Sequence, residues 1–168
     1  MIKKNRNLQI HEIIEKNPGI QFREIMRDSG LKNGVLSHYL GKLEKEGVIK
    51  VMRGPRQTRF YPPKITFEES IAIKALRRQT PRDLLLALVN QDGLEFNELV
   101  KAVGKSPSTV SLYLSQLLQD DLVQIKLENL KKKYYVKSRK LIDRLIEEYR
   151  PDLLERPTSG FEDIFNSL

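Results

Sequence analysis

Aligned against itself at an offset of 74 positions, the chain matches residues 19–61 to residues 93–135 without a gap. Nine pairs are identical: Gly19/Gly93, Phe22/Phe96, Glu24/Glu98, Gly30/Gly104, Ser37/Ser111, Tyr39/Tyr113, Leu40/Leu114, Leu43/Leu117 and Tyr61/Tyr135. Others keep their apolar character, Ile20/Leu94, Ile25/Leu99, Leu36/Val110 and Phe60/Tyr134 among them, and the offset extends upstream through Ile10/Leu84 and Ile14/Leu88. Two helices can share an apolar period by accident. A gapless match through helices, turn and hairpin is much harder to reach that way, so the chain reads as two copies of one small unit. Whatever packs once must therefore pack twice within 168 residues, and each copy is a very small domain.

Each copy reads as three helices and a hairpin. In the first, Leu8, Ile10, Ile13 and Ile14 form a helical stripe that stops at Asn17-Pro18-Gly19. Residues 21–29 read as a second helix with Phe22, Ile25 and Met26 inward, ended by Gly30. Residues 32–46 read as a third, with Leu36, Leu40 and Leu43 on one face and Gly47 placed for a left-handed helix end. Strands are expected at 48–52 and 58–61, around a tip at 53–57. In the second copy, Thr80-Pro81 and Ser106-Pro107 each read as an N-cap followed by proline at the first helical position. Thr66 and Glu69 form a capping-box pattern that opens a connecting helix to about residue 78, and a last helix, 138–149, ends at Pro151. The expected division is a first unit at 1–64, a connecting helix at 65–79, a second unit at 80–137, and a terminal helix with an acidic amphipathic tail at 138–168.

Composition narrows the chemistry. There is no cysteine, which removes disulfides, thiolate zinc sites and thiol nucleophiles. No run approaches 18 apolar residues and the basic start has no apolar stretch behind it, so a soluble protein of the cytoplasm is expected, with no membrane partner. His11 and His38 stand on different helices without a carboxylate cluster, so no metal is expected. Neither a nucleophile elbow nor a phosphate loop occurs, so no enzyme and no cofactor are expected either. The net charge of +8 is concentrated: residues 1–64 hold 14 basic and 6 acidic side chains, residues 65–150 hold 15 and 12, and residues 151–168 hold 1 and 4. A cationic first third suits a polyanion, whose neutralised phosphates release counterions.

Helix, helix, turn, helix and hairpin follow the plan of a winged helix-turn-helix. Residues 106–117, SPSTVSLYLSQL, resemble the recognition helix of MarR- and ArsR-type regulators, and residues 36–49, LSHYLGKLEKEGVI, resemble the same element running into a wing. Asn17-Pro18-Gly19-Ile20, the wing ending Phe60-Tyr61-Pro62-Pro63, the connecting helix and Arg82-Asp83 together resemble archaeal regulators with two winged helices in one chain. The resemblance covers about residues 8–155. It implies a mainly α fold with small antiparallel β hairpins, two tandem winged helix-turn-helix units joined by a helix. It also implies a sequence-specific, nucleoid-associated regulator of transcription whose partner is double-stranded DNA.

A helix in the major groove must bury one face and present the other. With Leu36, Leu40 and Leu43 inward, the presented face holds Gly34, His38, Gly41 and Lys45, flanked by Ser37 and Lys42, with Lys32 and Asn33 at the end where recognition helices enter the groove. The wing adds Arg53, Arg56 and Arg59 for phosphates or the minor groove. In the second unit Ser106, Ser108, Thr109, Ser111 and Leu112 take these places, without a base from 106 to 118, and Lys131, Lys132 and Lys133 charge the wing. Leu112, at the place of His38, suits a thymine methyl or a protein interface, so the first unit is expected to dominate affinity. In the tail, Phe161, Ile164, Phe165 and Leu168 have helical spacing with Glu162 and Asp163 between them, a stripe suited to packing on its own protein, to a homodimer or to a transcription-machinery partner. Other readings of a tandem winged helix are a protein–protein scaffold, as in ESCRT-II-like subunits and kleisin-associated proteins, and a general chromatin or RNA binder.

Overall fold

Asn5 opens the first helix: its side-chain oxygen accepts the Asn7 amide at 3.1 Å, and α1 runs Arg6–Lys16. Asn17 closes it twice over, its backbone N–H reaching the Ile13 and Ile14 carbonyls and its side-chain amide donating to Ile13 at 2.9 Å. The computed structural model describes residues 5–155. Past the Pro18-Gly19 turn, Ile20–Gln21 forms a short strand, β1, that the periodicity of the sequence does not announce. The Gln21 amide then donates to Glu24 at 2.8 Å and α2, Phe22–Ser29, begins. The pattern recurs one repeat later, where the Glu95 amide donates to Glu98 at 2.7 Å ahead of α6, Phe96–Val103.

The third helix, α3, spans Asn33–Lys45 with Lys32 as its N-cap, and buries Leu36, Leu40 and Leu43. It ends in paired hydrogen bonds, Gly47 N–H to Glu44 O at 3.0 Å and Val48 N–H to Leu43 O at 2.9 Å, with Gly47 left-handed at φ 69°. This ending explains a shift from the expected strand. The Val48 amide is used by the helix, so β2 begins at Lys50 and runs to Arg53. Arg53 therefore belongs to the ladder, opposite Thr58, and the tip is 54–57, closed by the Gly54 amide on the Gln57 carbonyl. The returning strand β3, Thr58–Tyr61, sits in the middle of an antiparallel β1-β3-β2 sheet. Ile10, Ile14, Ile20, Ile25, Leu36 and Phe60 form the core of this unit; full burial of each aliphatic side chain is worth about 1.5–3 kcal/mol.

Thr66 and Glu69 satisfy one another's backbone as a capping box, at 2.8 and 3.1 Å, and open α4, Phe67–Leu76. The described residues divide into two units, one ending at Ser70 and one beginning at Ile71, within α4.

In the second unit α5 spans Gln79–Asn90. Its N-cap is Arg78 rather than the expected Thr80, so Pro81 stands two places inside the helix start. No N–H of the first turn has a helical partner, which lets the proline sit there without loss. Ser106 and Pro107 behave as expected: the Ser106 hydroxyl accepts the Thr109 amide at 3.3 Å, and α7 runs Pro107–Gln119 with Pro107 first. The helix ends as α3 does, Asp121 N–H to Leu118 O at 3.1 Å and Leu122 N–H to Leu117 O at 3.0 Å. Asp121 takes the left-handed place of Gly47, with φ 60°; aspartate tolerates that region better than most residues. Strands β4, Val123–Glu128, and β5, Lys131–Val136, form the second hairpin. Leu94 makes a single bridge to Tyr134, the counterpart of Ile20 opposite Phe60. The last helix, α8, spans Arg139–Glu155 and continues past Pro151 instead of stopping before it. Proline there leaves one carbonyl of the preceding turn without its usual donor but does not end the helix. The expected amphipathic tail, with Phe161, Ile164, Phe165 and Leu168, lies outside the described residues.

Candidate nucleic-acid interface

The outward face of α3 is assembled by the burial of its inner one. With Leu36, Leu40 and Leu43 at most 4% exposed, Lys32, Asn33, Gly34, Ser37, His38 and Lys42 all lie on the open side. A Cβ built on Gly34 or Gly41 would meet nothing within 4 Å, so no packing inside the protein demands glycine at either place. What their bareness does provide is close approach of the helix backbone by something external. Ser37 donates to the Asn33 side-chain oxygen at 3.3 Å, and His38 stands edge-on to Tyr39 with ring centres 5.5 Å apart. Lys32 supplies no side-chain cap, so the first amides of α3 keep their capacity for an acceptor.

The first wing holds three arginines in three different states. Arg56, on the tip, is exposed and makes no ion pair among the described residues. Arg53 is exposed but engaged, its guanidinium gripping both Glu44 oxygens at 2.7 and 2.8 Å. That hydrogen-bonded pair holds the Glu44 carboxyl below the usual carboxylate range and raises Arg53, and it ties the last turn of α3 to the wing. A phosphate can compete for Arg53, because an exposed pair in water is weak. Arg59 departs from expectation. It is 5% exposed, donating from Nη1 to the Gly19 carbonyl at 2.7 Å and from Nη2 to the Gln57 side chain at 2.9 Å. Strand alternation sets Arg59 on the face opposite Phe60, and the turn into β1 covers it. Its guanidinium is taken up by partners inside the protein and does not stand on the exposed surface of the wing. Lys50, another wing cation, reaches the Ile65 carbonyl at 2.8 Å.

The second unit presents a different surface. Ser106, Ser108, Ser111 and Leu112 are exposed on α7 and Thr109 is half-buried. The hydroxyls of Ser106, Ser108 and Thr109 cluster at 2.9–3.1 Å, so part of their hydrogen-bonding capacity is used within the cap. Leu112 is 45% exposed. Tyr113 is buried and receives the Arg78 guanidinium at 3.1 Å, which gives this repeated tyrosine a packing role. On the wing Lys131 pairs with Glu95 at 3.1 Å and Lys133 with Glu128 at 3.5 Å, whereas Lys132 is exposed with no ion pair among the described residues. A hydrogen bond from Tyr135 keeps the Glu128 carboxyl below its ordinary range and pushes the Tyr135 hydroxyl up. Sequence reasoning passed over the apolar side chains of this hairpin, Ile125, Leu127 and Leu130, which are 43%, 67% and 93% exposed. The signal available was the two-residue spacing of Ile125 and Leu127 next to a lysine run. Among the described residues no three His, Asp or Glu side chains come together as a metal site, and His11 pairs with Glu15 at 3.5 Å.

Known sequence families match both copies. Residues 4–50 match the family described as winged helix-turn-helix DNA-binding, and residues 78–124 match the bacterial regulatory proteins of the arsR family. Both bounds of the second match lie 74 positions after those of the first. The two stretches mark the chain as a DNA-binding transcription regulator built from two winged helix-turn-helix units. No curated protein matches it. Similar solved structures include HlyU from Vibrio cholerae N16961, 22% identical over 51% of this chain and 91% of that one, with a TM-score of 0.43. Another is the homodimeric winged helix-turn-helix DNA-binding domain of a possible ArsR-family regulator from Mycobacterium bovis, 19% identical over 55% and 88%, with a TM-score of 0.44. The S. aureus MepR–DNA complex is 18% identical over 80% and 95%, with a TM-score of 0.38.

Proposed function

We propose that the first unit is the principal reader of double-stranded DNA, with α3 in the major groove and the first wing against the backbone or minor groove. The observation that carries this is the composition of the open face of α3. Hydrogen-bonding side chains at Lys32, Asn33, Ser37, His38 and Lys42 are interleaved with Gly34 and Gly41, which no internal contact requires. Ser37, His38 and Lys42 suit base edges, Lys32 and the open amides suit a phosphate at the helix start, and Arg56 with Arg53 suits phosphates beside it. In the second unit, Ser106, Ser108, Thr109, Ser111 and Leu112 offer fewer polar contacts and no charge, so that unit adds register and wing contacts through Lys131, Lys132 and Lys133. The role is binding rather than catalysis. It suits a nucleoid-associated regulator in the cytoplasm, of the tandem archaeal type that the sequence resembles, with residues 151–168 available for self-association.

Two variants separate the parts of this reading. Arg53→Ala/Arg56→Ala should weaken binding about equally for every duplex in a competition shift assay. Lys32→Ala/His38→Ala should broaden the motif recovered by oligonucleotide selection. Unchanged affinity in the first case removes the wing assignment; an unchanged motif in the second removes α3 as the reading helix.

A further inference from the structure

The tip of the second wing combines two features that its own fold does not explain. Glu128 faces Lys131 in the ladder, so the hairpin turns through two residues only, Asn129 and Leu130, both left-handed at φ 51° and 64°. Such a turn favours glycine at its second position. Leucine there meets the steric cost of the left-handed region, and asparagine relieves it better. Burial offers no compensation, since Leu130 is 93% exposed. Behind it, Leu127 and Ile125 share one face of β4 and stand opposite Lys132 and Tyr134, so an exposed apolar edge runs out along the hairpin to the tip. Lys131 and Lys132 follow Leu130 in sequence; Lys131 makes an exposed pair with Glu95, and Lys132 is exposed without an ion pair among the described residues. The first wing has nothing of this kind: its tip is Gly54-Pro55-Arg56-Gln57.

We propose that Leu130 is a wedge for the minor groove of double-stranded DNA, entering between two base pairs and kinking the duplex while Lys132 holds a neighbouring phosphate and Lys131 exchanges its exposed Glu95 pair for another. A narrow hairpin, a bulky apolar end and adjacent cations are what such insertion needs, and the step opened should be an easily unstacked pyrimidine–purine one. DNA is the occupant that the cations favour: its phosphates answer the lysines, and the opened base step between them answers the leucine. The wedge rests on the DNA-binding reading but not on the assignment of α3.

The test uses the full chain and a selected duplex of about 30 base pairs, labelled at its ends for energy transfer, with 2-aminopurine placed in turn at each pyrimidine–purine step. The wild-type protein should shorten the end-to-end distance and brighten 2-aminopurine at one step. Leu130→Asn, which suits the left-handed turn and removes the wedge, should melt no lower than wild type. It should lose both signals, bind the same duplex about ten-fold more weakly and keep its salt dependence. Leu130→Gly should behave in the same way. A wild-type complex that neither bends nor brightens, or a bend that survives Leu130→Asn, overturns the wedge while leaving the DNA reading intact. A Leu130→Asn protein that sediments as a smaller species with its bend unchanged overturns it in favour of an interface between copies. If no duplex is bound at all, the DNA-binding reading fails as well, a result distinct from each of these.

Discussion

Arg59 and Arg56 lie three residues apart on the same wing and do different work. Arg56 is in water. Arg59 is buried across the turn that leads into β1, with its guanidinium on the Gly19 carbonyl, while the Gly19 amide donates to Phe60 at 2.8 Å. Charged donors to buried acceptors are worth about 1.5–3 kcal/mol, most of it felt when the acceptor is left without its partner. Arg59→Met should therefore lower the stability of the first unit by about 2 kcal/mol, measured as a lower urea midpoint at unchanged slope. The salt dependence of DNA binding should not change, measured below the melting range. A stable Arg59→Met protein with fewer phosphate contacts would restore the original expectation for this residue. Its burial could not be read from residue type and spacing, because the strand that turns Arg59 from a wing cation into a structural one is only two residues long, too short for any period.

At the scale of the element, sequence and structure agree wherever a local rule is complete. The Thr66–Glu69 box, the Ser106-Pro107 start and the left-handed end at Gly47 each involve neighbours in sequence, and each is found. Thr80-Pro81 resembles such a start and is not one, since an N–H anywhere in a first turn has no helical partner and proline can stand past the first position. The helical faces were legible because three apolar leucines at helical spacing decide which side is outside, so Lys32, Ser37, His38 and Lys42 emerge on the open side of α3. What could not be seen was pairing at a distance: the Glu44–Arg53 contact, or Leu94 against Tyr134. That last pairing depends on Gly93, which has φ 73°, and a Cβ there would lie 2.6 Å from the Tyr135 hydroxyl. Gly93→Ala should cost the second unit about 1–3 kcal/mol, read as a lower melting temperature. Alanine at wild-type stability would mean that Tyr135 can give way without loss.

For the whole molecule, charge is the governing quantity. The chain carries +8, and residues 1–64 alone account for an equal excess of basic over acidic side chains. Several of these cations are already committed to protein partners, Arg59 and Lys50 among them, so the number meeting phosphate is smaller than the count suggests. With about six phosphates neutralised, log affinity should fall against log salt with a slope of about −5. A titration giving a slope near −1 would mean that the excess charge serves solubility alone. In both units the returning strand of the hairpin is fastened to the residue two places ahead of the second helix, Phe60 to Ile20 and Tyr134 to Leu94. A wing held at its base in this way has little freedom to surrender on association. Encounter should then proceed without a slow folding phase, and its entropy should be dominated by the ions set loose rather than by the ordering of the chain.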